Sequence, residues 1–139
     1  MAENLCSLKK TGGGGGLSET TLWTNNAPTS NFAAQNVTIS DDIDNYSYIG
    51  IEYEFSTALT TLTNKVFFPV DLFKTYRFNN STQHAFGIFG MQNNTGNYMY
   101  ARVAYYVSDT SVGFSSGYGV NRAYENTASM IPLKIIGLK

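Results

Sequence analysis

The sequence predicts an all-β protein, an antiparallel β-sandwich of about eight strands that is jelly-roll-like. Short runs rich in β-branched and aromatic residues recur at near-regular spacing along the 139 residues. Clusters of Asn, Asp, Gly, Pro and Ser separate these runs and are typical of turns. No stretch shows a sustained helical period or a solenoid-type repeat. These observations together favour a sandwich or jelly roll.

The first half of the domain contains three predicted strands. Residues 20–24 form the first, which ends at the turn composition of residues 25–28. Residues 32–40 follow, with Val37 and Ile39 on one face. The clearest strand is 46–55, in which one side carries Ile49, Ile51, Tyr53 and Phe55 and the other carries Tyr48, Gly50, Glu52 and Glu54. This period of two is typical of a half-buried strand.

The second half supplies the remaining strands. Residues 66–70 contain Pro69, which predicts a strand at a sheet edge. Residues 84–91 and 97–107 flank a polar turn at 92–96 and predict a hairpin. Residues 110–118 and 130–138 complete the set.

The two ends of the chain differ in character. Residues 1–19 include five consecutive glycines, which predict a flexible arm, and residues 20–139 form the sandwich domain. Residues 131–139 are apolar and predict a strand that runs to the C-terminus. Because an unpaired apolar strand invites aggregation, we expect this one to lie in the domain's own sheet or in a subunit interface.

Composition excludes several classes of function. The formal net charge is −1 and only 14% of residues are charged, so no basic patch for nucleic acid is expected. No apolar run is long enough to cross a bilayer, and the acidic start lacks the pattern of an export signal, which predicts synthesis in a cytosol. The single cysteine, Cys6, excludes an internal disulfide and a cysteine metal cluster.

Candidate catalytic residues are few, and we expect no enzyme, no cofactor and no metal. His84 is the one histidine, and no G-x-S-x-G motif accompanies it. Glu52 and Glu54 point to one face about 7 Å apart, a spacing that glycosidases use, although a solvated outer face is the simpler interpretation. Residues 41–44 hold three aspartates without EF-hand spacing, which favours a surface turn and leaves a weak calcium site as an alternative.

Tyrosines are the most suggestive binding candidates. Tyr98, Tyr100 and Tyr106 share one face of a predicted strand with Arg102, and Tyr118 and Tyr124 follow nearby. Exposed Tyr and Arg are typical of interfaces, so this set predicts contact with a glycan or another subunit. The alternative is aromatic packing within the sandwich.

Three stretches of the sequence are distinctive: Leu22-Trp23-Thr24-Asn25 continued by residues 28–35, Tyr46-Ser47-Tyr48-Ile49-Gly50-Ile51-Glu52-Tyr53, and the terminal residues 131–139. On these stretches, residues 20–139 resemble small β-sandwich modules in virion proteins of bacteriophages, especially phages and prophages of gut bacteria. Modules of this family often close a longer tail-fibre, baseplate or receptor-binding protein. Only 19 residues precede this one, which favours a short appendage or a decoration protein.

The resemblance implies a non-enzymatic structural protein of the virion, made in the cytoplasm of a bacterial host. We expect a homotrimer whose arm binds other virion proteins through Gly12, Gly13, Gly14, Gly15 and Gly16. The displayed domain would adhere to a host-surface glycan, without contact with nucleic acid and without membrane insertion. The alternatives are a stand-alone carbohydrate-binding module and a small glycan hydrolase that uses Glu52 and Glu54.

Overall fold

The fold is an antiparallel β-sandwich, as the sequence predicts. A computed structural model describes residues 16–56, 63–78, 83–84, 86–92, 98–118 and 127–139. Its strands are β1 (Glu19–Thr24), β2 (Gln35–Thr38), β3 (Tyr48–Ser56), β4 (Thr63–Pro69), β5 (Arg77–Phe78), β6 (Gln83–His84), β7 (Phe86–Gln92), β8 (Tyr98–Ser108), β9 (Ser111–Phe114) and β10 (Ser129–Leu138). A 3₁₀ turn (Ile43–Asn45) and a short helix α1 (Val70–Phe73) lie between strands. No described helix is long enough to span a membrane.

The chain folds back on itself so that its ends pair. The first sheet has the order β1-β10-β3-β4 and the second the order β2-β9-β8-β7, while β5 and β6 form a small separate pair. The first described strand therefore pairs with the last, and β2 pairs with β9, so these two outer pairs are nested as in a jelly roll, whereas the inner strands pair as hairpins. The pairs β3–β4 and β7–β8 are neighbours in the chain.

The terminal strand β10 is paired on both sides, by β1 and by β3. Its backbone groups are thus satisfied within the sheet, and the predicted ordered C-terminus is confirmed. Ser18 and Lys139 exchange two backbone hydrogen bonds of 3.0 and 3.2 Å beside the end of this strand. Since β1 begins at Glu19, the last residue assigned to the arm in fact belongs to the sheet.

The core lies between the two sheets. Ile49 and Ile51 of β3 are fully buried in the same cluster as Val112 and Phe114 of β9. An aromatic group extends this cluster, in which Phe32 lies edge-on to Phe114 at 5.7 Å between ring centroids. Burying side chains of this size contributes about 1.5–3 kcal/mol each, so this cluster is the main source of stability.

Both prolines that lie in strands occupy positions where a residue without a backbone N–H is tolerated. Pro69 ends β4, an edge strand, as the sequence predicts. Pro132 lies within the central strand β10, which the sequence pattern alone would disfavour. The pairing of β10 with β3 shifts register between Pro132 and Lys134, and this bulge accommodates a residue that cannot donate to the ladder.

Candidate functional site

Three carboxylates converge at the end of the sandwich where the 3₁₀ turn meets the β8–β9 turn. Asp42 caps the 3₁₀ turn by accepting a hydrogen bond of 2.9 Å from the backbone of Asp44. Asp109 comes from the turn after β8, and one oxygen from each of the three residues lies within 4.8 Å of the others. Such a group requires a nearby positive charge.

Lys74, at the C-terminal end of α1, supplies that charge. Its Nζ lies 2.8 Å from a carboxylate oxygen of Asp44 and 2.8 Å from Asp109. The hydrogen bond to Asp109 raises the pKa of Lys74, and the same bond lowers the pKa of Asp109. The ammonium group therefore sits where a bound cation would have to sit, and the arrangement is an internal ion-pair network.

Aromatic rings extend this network on both sides. The Tyr106 hydroxyl donates to Asp109, and the Arg77 guanidinium lies 4.1 Å from the centre of the Tyr106 ring. Asp41 accepts a hydrogen bond of 2.9 Å from the Tyr46 hydroxyl, which is the main cause of its lowered pKa. The network thus ties the turns to the ends of the strands.

Arg102 is not part of an exposed binding face. It is 0% exposed, and its guanidinium donates to backbone carbonyls rather than to solvent. The acceptors are the carbonyl oxygens of Met130, Ser115, Thr127 and Ser129. Burial lowers the pKa of Arg102 to about 10, still far above neutrality, so the side chain remains charged inside the domain.

Tyr100 and Tyr106, which lie on the same strand face as Arg102, also point inward. Tyr100 packs edge-on against Phe55 with 5.7 Å between ring centroids, and Tyr106 packs against the main core. Both rings therefore pack within the sandwich, which was the alternative interpretation of the sequence pattern. The sequence pattern could not distinguish the two faces of β8, because aromatic and apolar residues occupy both.

The other predicted binding and anchoring residues are dispersed or lie outside the described residues. Tyr118 is partly buried and pairs with Ala101 through two backbone hydrogen bonds. Only the backbone of Tyr98 is described, in β8. Gly16 is exposed with open space around it, while Tyr124 and Gly12–Gly15 lie outside the described residues.

Glu52 and Glu54 occupy different environments although they share the outer face of β3. Glu52 lies 3.0 Å from Nζ of Lys134 and 3.7 Å from Nζ of Lys65. Glu54 is 2% exposed, and burial raises its pKa. Among the residues that the structure describes, no group hydrogen-bonds to its Oε1. A hydrolase would need both carboxylates to reach substrate, and the buried Glu54 does not meet that requirement.

The surface that sequence reasoning missed is the outer face of the second sheet. Met99 and Val107, near the two ends of β8, are 50% and 39% exposed. The signal was present in the sequence, because both alternating sets of residues in this strand are mainly apolar or aromatic.

Compared with known proteins, the chain matches no protein-family model and no curated sequence.

Proposed function

We propose that this chain is a non-enzymatic bacteriophage virion protein, a short appendage or a decoration protein of capsid or tail. Its N-terminal arm would attach to the particle and its sandwich would be displayed. The observation that carries the proposal is the reciprocal pairing of Ser18 with Lys139, which places the root of the arm at one corner of the first sheet. An attachment there leaves the rest of the domain free.

The arrangement of loops supports display away from the attachment point. β1 runs from this corner to Asn25, whose backbone N–H donates to the carbonyl of Leu133 at 2.8 Å. The backbone N–H of Phe32 donates to the carbonyl of Thr127 in the same region. These segments lie at the other end of β1 from the arm, where a host-surface glycan could be met without interference from the particle.

Multivalency would give the display its strength. A domain that binds a glycan weakly gains about 10²- to 10⁴-fold in avidity when many copies are held on one particle. The resemblance to phage modules implies three copies in each appendage, and a non-enzymatic role requires no cofactor.

The proposal is tested by deleting residues 1–16 and measuring incorporation into particles that are purified from producing cells. Because Ser18 and β1 remain, we expect the truncated protein to keep its thermal melting temperature and to be lost from particles. A matched control replaces residues 1–11 with a Gly/Ser segment of the same length, which keeps the glycine run and the flexible arm, and it should still be incorporated. Normal incorporation of the truncated protein would overturn the proposal.

Separate experiments test the two alternative functions, a glycan hydrolase and a stand-alone carbohydrate-binding module. The glycan-hydrolase alternative rests on the shared strand face of Glu52 and Glu54, although the burial of Glu54 counts against contact with substrate. If any hydrolysis of glycans is measured, Glu52→Gln and Glu54→Gln should each abolish it. A stand-alone carbohydrate-binding module would bind glycan equally well without residues 1–16 and would not enter particles.

A further inference from the structure

The two sheets differ sharply in the charge of their strands. The strands of the first sheet carry Glu19, Glu52, Glu54, Lys65 and Lys134. Lys65 links Glu19 and Glu52, at 3.0 and 3.7 Å, so this outer face is that of a solvated sheet. The four strands of the second sheet contain a single charged residue, Arg102, and it is fully buried.

The outer face of β8 is a continuous apolar stripe. Residues alternate along a strand, and the fully buried Arg102 and Ala104 point inward. The residues of the opposite set therefore point outward: Met99, Ala101, Val103, Tyr105 and Val107. A solvated face would carry polar residues at these positions, so this face departs from the usual alternation.

Tyr105 lies flat and extends the stripe sideways. Its ring covers Gly113 of β9 so closely that a Cβ atom at Gly113 would lie 2.2 Å from the ring. The Tyr105 hydroxyl donates to Asn36 of β2 at 3.2 Å. The ring therefore spans from β8 over β9 toward β2 and makes the face flat, with a polar group at its rim.

We propose that this outer face of the second sheet is a self-association surface, and that its occupant is the same face of a second copy of this chain. Interface centres are depleted in charge and enriched in Met and Tyr, as this face is. An uncharged face offers nothing to select a charged partner, and two copies of it meet without like-charge repulsion. The net charge of −1 adds little repulsion between whole chains.

The size of the face agrees with a weak, reversible dimer. From Met99 to Val107 the stripe is about 27 Å long, and four strands are about 19 Å wide, which gives at most ~500 Å² for each copy. Two copies would therefore bury at most about 1,000 Å², which is in the size range of weak, transient contacts. A contact between identical faces has two-fold symmetry, so it predicts a dimer where the resemblance implies a trimer.

This inference goes beyond the proposed function, in which the resemblance implies a trimer, and light scattering after size exclusion tests it on the full-length chain. Over a concentration series of about 5 to 500 µM we expect a shift from monomer to dimer, because contacts at the small end of the size range are weak and transient. Replacing Met99 and Val107 together with glutamate should raise the dimer dissociation constant about 100-fold. Leu72→Glu, at a side chain that is 45% exposed on α1, is the matched control and should leave the dimer intact.

A charge-exchange experiment tests whether the partner surface is the same face of a second copy. A second double variant carries lysine at positions 99 and 107, and it should be monomeric alone but form a heterodimer when mixed with the glutamate variant. Circular dichroism of each variant must show the unchanged sheet signal, and Met99→Gln with Val107→Thr is a milder pair if either charged variant unfolds. If the milder pair of substitutions weakens the dimer, the outer face of the second sheet forms the interface. An unchanged dimer counts against that assignment.

Three results would overturn the inference: a monomer at every concentration, a trimer mass, or a dimer that survives the substitutions at positions 99 and 107. None of these depends on the arm, so the failure of this inference and the failure of particle incorporation are distinguishable. A glycan or another virion protein as the occupant would appear as a wild-type monomer whose ligand binding is lost on the same substitutions, and that result would also overturn self-association.

Discussion

Arg102 donates a hydrogen bond of 2.7 Å from its Nε to the carbonyl oxygen of Met130, a residue with a φ of 51°. Among the described residues other than glycine, Met130 is the one with a positive φ. In an ordinary strand, successive carbonyls point to opposite sides. The left-handed conformation at Met130 instead lets the carbonyls of Ser129 and Met130 both face the same guanidinium.

We predict that Arg102→Lys destabilises the domain by about 3 kcal/mol, because one ammonium group cannot replace the fork of donors and leaves buried carbonyls unpaired. Urea unfolding at pH 7 measures the change. Arg77→Lys, at an exposed guanidinium on the surface, is the control and should cost less than about 1 kcal/mol. A loss below about 1 kcal/mol for Arg102→Lys would show that the carbonyls find other partners.

We predict that Glu54→Gln stabilises the protein at neutral pH. Because burial raises the pKa of Glu54 above its ordinary 4.5, the folded state favours the protonated acid. The stability from this group is therefore fully present below pH 4.5 and is lost as the pH rises through the folded-state pKa. Glutamine keeps the shape without the charge, so the gain should be on the order of 1 kcal/mol at pH 7 and should vanish in acid.

Glu52→Gln is the matched control for Glu54→Gln, on the same face of the same strand. It removes the ion pairs with Lys134 and Lys65, so it should reduce stability at pH 7 by up to about 1 kcal/mol. Urea unfolding of both variants between pH 4 and pH 8 gives the comparison. Equal effects of the same sign at pH 7 would refute the different environments assigned to the two carboxylates.

We predict that Lys74→Met lowers the melting temperature at pH 7, because Asp44 and Asp109 then face each other without a cation. Since Lys74 lowers the pKa of Asp109, this stabilisation is present above the ordinary value of 3.8 and is lost as the pH falls through the folded-state pKa. The difference between variant and wild type should therefore shrink in acid. The wild-type melting temperature should not respond to calcium, and a rise with calcium would show that Lys74 does not occupy the site.

We predict that Gly50→Ala destabilises the first sheet by about 1–3 kcal/mol, because the added methyl group displaces an aromatic ring. A Cβ atom at Gly50 would lie 2.4 Å from Cε1 of Phe67, the residue opposite it on β4. In combination with Phe67→Ala the penalty should largely disappear, a coupling above about 0.5 kcal/mol in a double-mutant cycle of urea unfolding. Additive effects would mean that the ring moves freely.

Strand positions could be predicted because they depend on local alternation. The period of two in residues 46–55 matches β3, and Pro69 marks an edge strand as expected. The short pair β5–β6 and helix α1 escaped prediction because two to four residues are too few to show a period. The bulge at Pro132 escaped because it depends on how β10 pairs with β3.

The roles of particular side chains depended on contacts between residues far apart in the chain. Arg102 and its carbonyl acceptors are separated by 13 to 28 residues, so no local pattern could show that this arginine is buried. The aspartates at positions 44 and 109 are bridged only when the residue after α1, Lys74, lies between them. Candidate sites in this chain were thus less predictable than its strands.

Local alternation and turn residues were enough to predict the fold class and an ordered C-terminal strand, because both signals act over a few neighbouring positions. The order of the strands in the two sheets and the inward face of β8 depend on contacts between distant residues. Both faces of β8 are mainly apolar or aromatic, so the local pattern does not distinguish them, whereas the carbonyls that accept hydrogen bonds from Arg102 favour the observed orientation. In that orientation Tyr100 and Tyr106 are partly buried, and Met99 and Val107 are exposed.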